Sequence, residues 1–223
     1  MKNRLLFTTA LIAAAFAVSD ARAERLVVSS GEEEAVNAEM SANDNSELQG
    51  GAILNSGKLT VADGVVFNGN AGSVGGAVST VDASGAAVIG DNVSFIGNTS
   101  AMQGGAYHNQ RATSTIGDNA KFHNNTAIGY GGGAVYQDTD GREAVLTIGD
   151  NAEFKGNKSE TSHGGAVMNF NAGDKGKALK LRGTLRKINT GHCVVIGQSH
   201  RANAALARKP YQRVRRQTAV AGC

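Results

Sequence analysis

The chain has 223 residues, with 30 Gly, one Pro, no Trp, 5% aromatic residues and a formal net charge of +3. This length suits one domain of ordinary size, and the shortage of aromatic residues excludes a core built mainly on large rings, so many small residues must be buried in register. The charge is divided, because residues 24–171 hold 7 Lys+Arg against 17 Asp+Glu and residues 172–223 hold 12 against one, which indicates two segments of different nature.

The amino terminus has the pattern of a secretory signal peptide over residues 1–23. Two basic residues precede apolar residues 5–18, and the A-x-A triplet at 21–23 predicts cleavage between Ala23 and Glu24. The apolar stretch is shorter than the ~20 residues that span a bilayer as a helix, although an uncleaved anchor is the alternative. No later segment is long and apolar enough for a transmembrane helix, so we expect an exported chain.

One short motif recurs five times in residues 40–166. Each copy has a large apolar residue, two variable residues and Asn, and Gly-Gly-Ala follows after a segment of variable length. The copies start at Met40, Phe67, Phe95, Phe122 and Phe154, at spacings of 27, 28, 27 and 32 residues. A period in this range is typical of a solenoid. A chain devoted to one structural unit usually forms a binding surface and not an active site.

Four gapless blocks, at residues 58–67, 86–95, 113–122 and 145–154, show how a repeat is built. Three apolar columns alternate in them with positions that share no chemistry, such as the column Val66, Ser94, Lys121 and Glu153. This period of two predicts strands whose side chains face a core and solvent in turn. A turn with tolerated left-handed backbone, in which Asp accepts from its own downstream amide, is predicted at Asp63, Asp91, Asp118 and Asp150.

These patterns predict an all-β, right-handed parallel β-helix of about five coils over residues 24–182. Each coil is expected to contain a strand, a turn, a strand, a loop, and a third strand that starts at Gly-Gly-Ala. Coils ~4.8 Å apart cover each other's apolar faces, and the handedness follows from the general preference of strand connections. The first copy has Met40 in place of Phe and acidic residues 32–34 in place of an apolar strand, which predicts a capping coil.

The motif residues are expected to determine this fold. We expect a stack of interior rings at Phe67, Phe95, Phe122 and Phe154. We expect a ladder of amides at one corner, formed by Asn70, Asn98, Asn125 and Asn157. Close backbone approach at another corner is expected at Gly50, Gly51, Gly75, Gly76, Gly104, Gly105, Gly132, Gly133, Gly164 and Gly165.

The repeat resembles that of the polymorphic outer-membrane proteins of chlamydial type. The resemblance rests on FNGN, FIGN, FHNN and FKGN alternating with GGAI, GGAV, GGAY, GGAV and GGAV over residues 40–167. It implies an autotransporter passenger, a β-helix that acts as an adhesin toward a host-cell surface or glycan receptor, with both motifs implicated in adhesion. The family's carboxy-terminal β-barrel is not expected in the 52 residues after Asn171. We therefore expect a truncated passenger, at the cell surface, secreted, or in the periplasm if the barrel is absent.

The repeat pattern ends after residues 178–181, which resemble the opening of one more block. Residues 183–223 are rich in Arg and free of Asp and Glu. We favour an out-of-frame or truncated end, with a carboxy-terminal cap or a basic tail for nucleic acid or anionic lipid as alternatives. Nucleic acid is disfavoured because no aromatic series or known module accompanies the charges. Cys193 and Cys223 lie in this tail and are either paired or incidental.

No residue pattern indicates catalysis, a metal or a cofactor. A calcium site at the column of Asp residues is disfavoured, because the glycine-rich nonapeptide that binds calcium is absent from the repeats. No serine lies in a G-x-S-x-G elbow. The histidines share no metal-binding spacing; they are His108, His123, His163, His192 and His200. His123 and His163 are expected to lie in solvated loops. We predict a binding protein, with a secreted β-helix lyase or hydrolase of polysaccharides as the alternative. Such enzymes gather carboxylates with Arg or Lys on one face, and basic residues are few in these repeats.

Overall fold

The computed structural model describes residues 25–41, 43–140, 144–162, 164–170, 179–182 and 195–196, and these residues form β-strands without a helix. The first coil contains β1 (Leu26–Val28), β2 (Glu33–Val36), β3 (Met40–Ser41) and β4 (Asp44–Gln49). The second contains β5 (Ile53–Asn55), β6 (Lys58–Val61), β7 (Val66–Asn68) and β8 (Ala71–Val74). The third contains β9 (Val78–Val81), β10 (Ala86–Ile89), β11 (Ser94–Ile96) and β12 (Thr99–Gln103).

The later coils repeat this order. The fourth contains β13 (Tyr107–Gln110), β14 (Thr113–Ile116), β15 (Lys121–His123) and β16 (Thr126–Ala127). The fifth contains β17 (Val135–Asp138), β18 (Val145–Ile148), β19 (Glu153–Lys155) and β20 (Lys158–Ser159). Beyond it lie β21 (Val167–Phe170), β22 (Leu179–Leu181) and β23 (Val195–Ile196).

Corresponding strands of successive coils pair in parallel and form four sheets along the stack. The first sheet has the order β1-β5-β9-β13-β17-β21-β23, and the second has β2-β6-β10-β14-β18-β22. The third is β19-β15-β11-β7-β3, and the fourth is β20-β16-β12-β8-β4. The predicted all-β solenoid of about five turns with parallel strands is therefore confirmed.

The prediction of three strands per coil is wrong, because the segment between Asn and Gly-Gly-Ala is a fourth strand and not a loop. Its register shifts between Ser100 and Gln103 relative to β8, and likewise between Asn45 and Gln49. Such bulges absorb extra residues in one strand of a pair. The varying length and the lack of apolar alternation hid this strand in the sequence.

The core consists of the predicted columns, each continued from coil to coil. The four phenylalanine rings lie in one stack, with neighbouring ring centroids 4.9, 4.9 and 4.8 Å apart and ring planes within 8° of parallel. Two further columns are equally buried. They are Val61, Ile89, Ile116 and Ile148, and Val65, Val93, Ala120 and Ala152. The column predicted to face solvent does so at Lys121, whereas Ser94 is buried between its larger register partners Val66 and Lys121.

The aspartate turns are present, but the predicted hydrogen bond within the turn is wrong at Asp63, Asp91 and Asp118. The Asp63 carboxylate instead accepts from the backbone N–H of Asp91 in the next coil at 2.8 Å, and the Asp91 and Asp118 carboxylates repeat this contact. Stacking brings the next coil's amide within hydrogen-bond distance of the carboxylate. The residue after each Asp is left-handed as expected, since φ is 73° at Gly64 and 59° at Asn92.

Both ends of the repeat follow the sequence pattern in part. The acidic strand β2 pairs with β6, and the carboxylate of Glu33 forms an ion pair with Lys58 at the surface. The predicted extra block is present as β22, which pairs with β18. Beyond the predicted end of the repeat at residue 182, β23 pairs with β21. The predicted signal peptide with its cleavage site, Cys193, Cys223 and the rest of residues 183–223 lie outside the described residues.

Candidate functional site

The asparagines of the motif form a continuous buried ladder. Asn98 accepts at its Oδ1 from the backbone N–H and the Nδ2 of Asn70, at 2.9 and 3.0 Å. Its own Nδ2 donates to Phe67 O and to Asn125 Oδ1, at 3.0 and 2.9 Å. The same contacts recur along the ladder, which runs through Asn43, Asn70, Asn98, Asn125 and Asn157. The predicted ladder is confirmed, and it joins each of these amides to its equivalent in the next coil, while Asn43 Oδ1 in the first coil has no hydrogen-bond partner among the described residues.

The glycine pairs form a sharp turn from the fourth sheet into the first. The first glycine of each pair is left-handed, with φ between 61° and 71° at Gly50, Gly75, Gly104, Gly132 and Gly164. At the second glycine, a Cβ would lie 2.0–2.1 Å from a carbonyl oxygen of the following coil, as at Gly51, Gly76, Gly105 and Gly133. The predicted close approach is therefore confirmed for these four glycines.

The phenylalanine and asparagine side chains of the motif, which the resemblance implicates in adhesion, lie inside the molecule. Their exposed fraction is at most 2%. A folded solenoid can present to a partner only the residues around them. These side chains therefore determine the shape of the surface, and other residues supply its contacts.

One surface that varies from coil to coil is the segment between Asn and Gly-Gly, which we call the variable ridge (residues 44–49, 71–74, 99–103, 126–131 and 158–162). The ridge segment has six residues in the first coil, four in the second, five in the third and six in the fourth. Four of its large apolar side chains are exposed, with exposed fractions of 46% at Leu48, 38% at Met102, 43% at Ile128 and 62% at Tyr130. The last three lie on two adjacent coils and form an apolar patch.

The backbone under this patch is fixed by hydrogen bonds between coils. The N–H of Tyr130 donates to Met102 O at 2.7 Å, and the N–H of Ile128 donates to Ser100 O at 3.0 Å. From the next coil, Thr161 Oγ1 donates to the carbonyl oxygens of Ile128 and Gly129, at 2.7 and 2.6 Å. Exposed apolar side chains on a rigid backbone bind a partner with little loss of conformational entropy.

A second cluster lies at the corner between the first and second sheets. The Arg111 guanidinium lies 3.0 Å from Asp82 Oδ1 and 3.9 Å from Asp140 Oδ2. All three residues are left-handed although none is glycine, with φ of 69° at Asp82, 57° at Arg111 and 45° at Asp140. Burial raises the pKa of the nearby Asp138 carboxyl. Sequence analysis did not identify this cluster. Each member is a single residue in a different corner, and the corners differ in length, so the members do not recur at a fixed spacing.

Polar side chains also line the first sheet, which sequence periodicity did not indicate. Inside the solenoid, the Tyr107 hydroxyl lies 3.0 Å from Thr80 Oγ1, and Asn109 Nδ2 donates to Gln137 Oε1 at 2.7 Å. Burial raises the pKa of Tyr107 to about 12. This polar group interrupts the apolar core and is held together by its own hydrogen bonds.

The histidines have separate environments. His108 is buried, with Nδ1 3.1 Å from Ser79 Oγ, and its Nε2 has no hydrogen-bond partner among the residues that the structure describes. The predicted solvated loop is wrong for His123, which lies half-buried in β15 with Nε2 3.5 Å from Glu153 Oε1. His163, His192 and His200 lie outside the described residues.

Because His108 is buried, we predict that the protein loses stability in mild acid. Burial lowers its pKa to about 3, so the unfolded chain binds a proton below about pH 6.5 while the folded chain stays neutral. Stability therefore falls as pH decreases from about 6.5 toward 3. The contribution at pH 5 is about 2 kcal/mol. Urea unfolding at pH 7 and pH 5 measures it, with His108→Gln as the control. Equal pH dependence of the two proteins would contradict the assignment.

The described residues contain no group of three or more metal-ligating side chains and no helix long and apolar enough to cross a membrane. Comparison of the chain with protein-family models, with curated proteins and with solved structures finds no match.

Proposed function

We propose that the protein is an exported surface passenger that binds a host-cell or glycan receptor through its variable ridge, without catalysis. In this proposal the signal peptide ends at Ala23, the solenoid is right-handed, and the chain is an autotransporter passenger of the adhesin type. It acts at the cell surface or as a secreted protein, or in the periplasm if no outer-membrane barrel carries it further. No nucleic acid and no cofactor take part.

The observation that carries the proposal is the apolar patch of Met102, Ile128 and Tyr130 on the variable ridge. Binding energy concentrates in a few aromatic and large apolar residues, and Tyr130 is the most exposed large apolar side chain among the described residues. The core columns hold the frame constant while the ridge differs in length and sequence. Loops and edges that vary on a rigid scaffold are the pattern of binding proteins.

Two substitutions on the ridge test the proposal. Binding of the purified chain to host epithelial cells and to immobilised glycans should fall at least about tenfold in the Ile128→Ser, Tyr130→Ser double variant, because hot-spot side chains contribute about 2 kcal/mol or more each. The matched control is Val88→Ser, which removes an apolar side chain exposed by 58% on the second sheet. Its binding should be unchanged.

Thermal unfolding separates a binding effect from a folding effect. The double variant should unfold at the temperature of the parent chain, because both side chains point away from the core. Binding that is equally weakened by Val88→Ser, or that survives the double substitution, would contradict a role for the ridge.

One observation favours the alternative of a polysaccharide lyase or hydrolase. The corner of Asp82, Arg111, Asp138 and Asp140 gathers carboxylates with an arginine, and a carboxyl whose pKa is raised by burial can act as a general acid. Turnover of polygalacturonate or related glycans that is lost in Asp138→Asn would establish this function. Binding without turnover would favour the adhesin.

A further inference from the structure

Among the described residues, no coil covers the interior columns of the solenoid at its amino-terminal end. Leu26 ends the column of Ile53, Val36 ends the column of Val61, and Met40 ends the phenylalanine stack. All three are only partly buried and pack against the core from one side. This end is therefore an apolar surface among the described residues, bordered by strands whose outer backbone groups face no further strand of the solenoid.

Glu34 occupies the remaining interior column at this end. Its register partner is Leu59, and the column continues through Ala87, Ser114, Leu146 and Leu179. Every other member is buried, whereas Glu34 is exposed and has no ion-pair partner among the described residues. The adjacent Glu33 differs, because it lies on the outer face and pairs with Lys58.

An open edge with apolar columns is a template for another strand of the same kind. Such edges pair with further chains unless a charge or a bulge prevents it. Any strand that added to β2 would enclose Glu34 between two layers. Burying a carboxylate without a partner leaves an uncompensated charge away from water, which disfavours that pairing.

We propose that Glu34 keeps the amino-terminal edge of the solenoid from pairing with the same edge of a second copy of this chain. A second copy fits because it presents an edge of the same kind, so that β2 can pair antiparallel with its own equivalent, and this two-fold contact closes at the dimer. The inward charge thus holds the protein in the monomeric form, with the receptor-binding ridge free along its whole length.

The test compares two substitutions in the same strand. Glu34→Leu should convert the chain to a dimer, with a dissociation constant at least about tenfold below that of the parent in sedimentation equilibrium. Glu33→Leu makes the same change of charge and volume on the outer face and should leave the chain monomeric. A Glu34→Leu chain that stays monomeric, or equal association of both variants, would overturn the proposal.

A second variant covers the case in which Glu34→Leu aggregates before it can be measured. Glu34→Gln removes the charge and keeps the shape, so it should also dimerise more strongly than the parent, and more weakly than Glu34→Leu. Circular dichroism should show unchanged strand content in each dimer. A monomeric Glu34→Gln chain would count against the charge as the barrier.

Discussion

Replacing Phe95 with Ala should lower the free energy of unfolding by about 3–5 kcal/mol, the range for removing a fully buried aromatic side chain. Phe95 lies between Phe67 and Phe122, with both rings stacked on it at 4.9 Å, and the edge of Tyr107 contacts it at 6.3 Å. The stack cannot collapse into the space, because each neighbouring ring is fixed by its own strand. Urea denaturation measures the change.

Val88→Ala is the control for this prediction. Val88 belongs to the same coil but is exposed by 58% on the outer face of the second sheet. Its truncation should change the free energy of unfolding by less than about 0.5 kcal/mol. Similar effects of the two substitutions would mean that Phe95 does not lie in the core.

Replacing Gly105 with Ala should destabilise the chain by about 3 kcal/mol or more, because overpacking against backbone cannot relax by a side-chain rotation. A Cβ at this position would lie 2.1 Å from Gly133 O and 2.6 Å from Thr126 C, both in the next coil. The two coils would have to separate at this corner. Thermal and urea unfolding of the variant provide the measurement.

Gly97→Ala is the matched control, since it changes the same residue type in the same coil. Gly97 has a φ of 61° and no atom within 4 Å of the added Cβ. Its cost should be only the strain of left-handed backbone, about 1–2 kcal/mol. A larger loss at Gly97 than at Gly105 would show that the close approach of coils is not what Gly105 provides.

The parts of the fold that repeat could be predicted from the sequence. Phe95 and Asn98 belong to a motif in which Asn always follows Phe by three residues, so the columns of identical residues can be read directly from the aligned repeats. The ladder at Asn98 follows because stacking places the equivalent amides of the neighbouring coils within hydrogen-bond distance of it. The alternation of Val93 and Phe95 with Ser94 was sufficient to assign strands and their inward faces.

The parts that differ between coils could not be predicted in this way. The fourth strand varies in length, so its pairing depends on bulges that leave no periodic signal. The contact of Asp63 with the amide of Asp91 requires the distance between coils, which a single turn does not contain. The cluster around Arg111 combines residues from three corners of different length, and only the fold brings them together.

The sequence marked the candidate site only through the length variation between Asn and Gly-Gly. It did not show that Met102, Ile128 and Tyr130 would project from neighbouring coils, because their exposure depends on how each bulge is accommodated. The motif residues of the resemblance, by contrast, are buried. This explains how one frame can carry different surfaces.

Nuclear magnetic resonance of the chain with labelled phenylalanine rings tests the stacking of coils most directly. Ring-to-ring Overhauser contacts should link Phe67 with Phe95, Phe95 with Phe122, and Phe122 with Phe154, each assigned by substitution to Leu. No contact should link Phe67 with Phe154, which lie three layers or ~14 Å apart. Absence of the three neighbouring contacts, or a direct contact between Phe67 and Phe154, would contradict a solenoid whose successive turns cover one another.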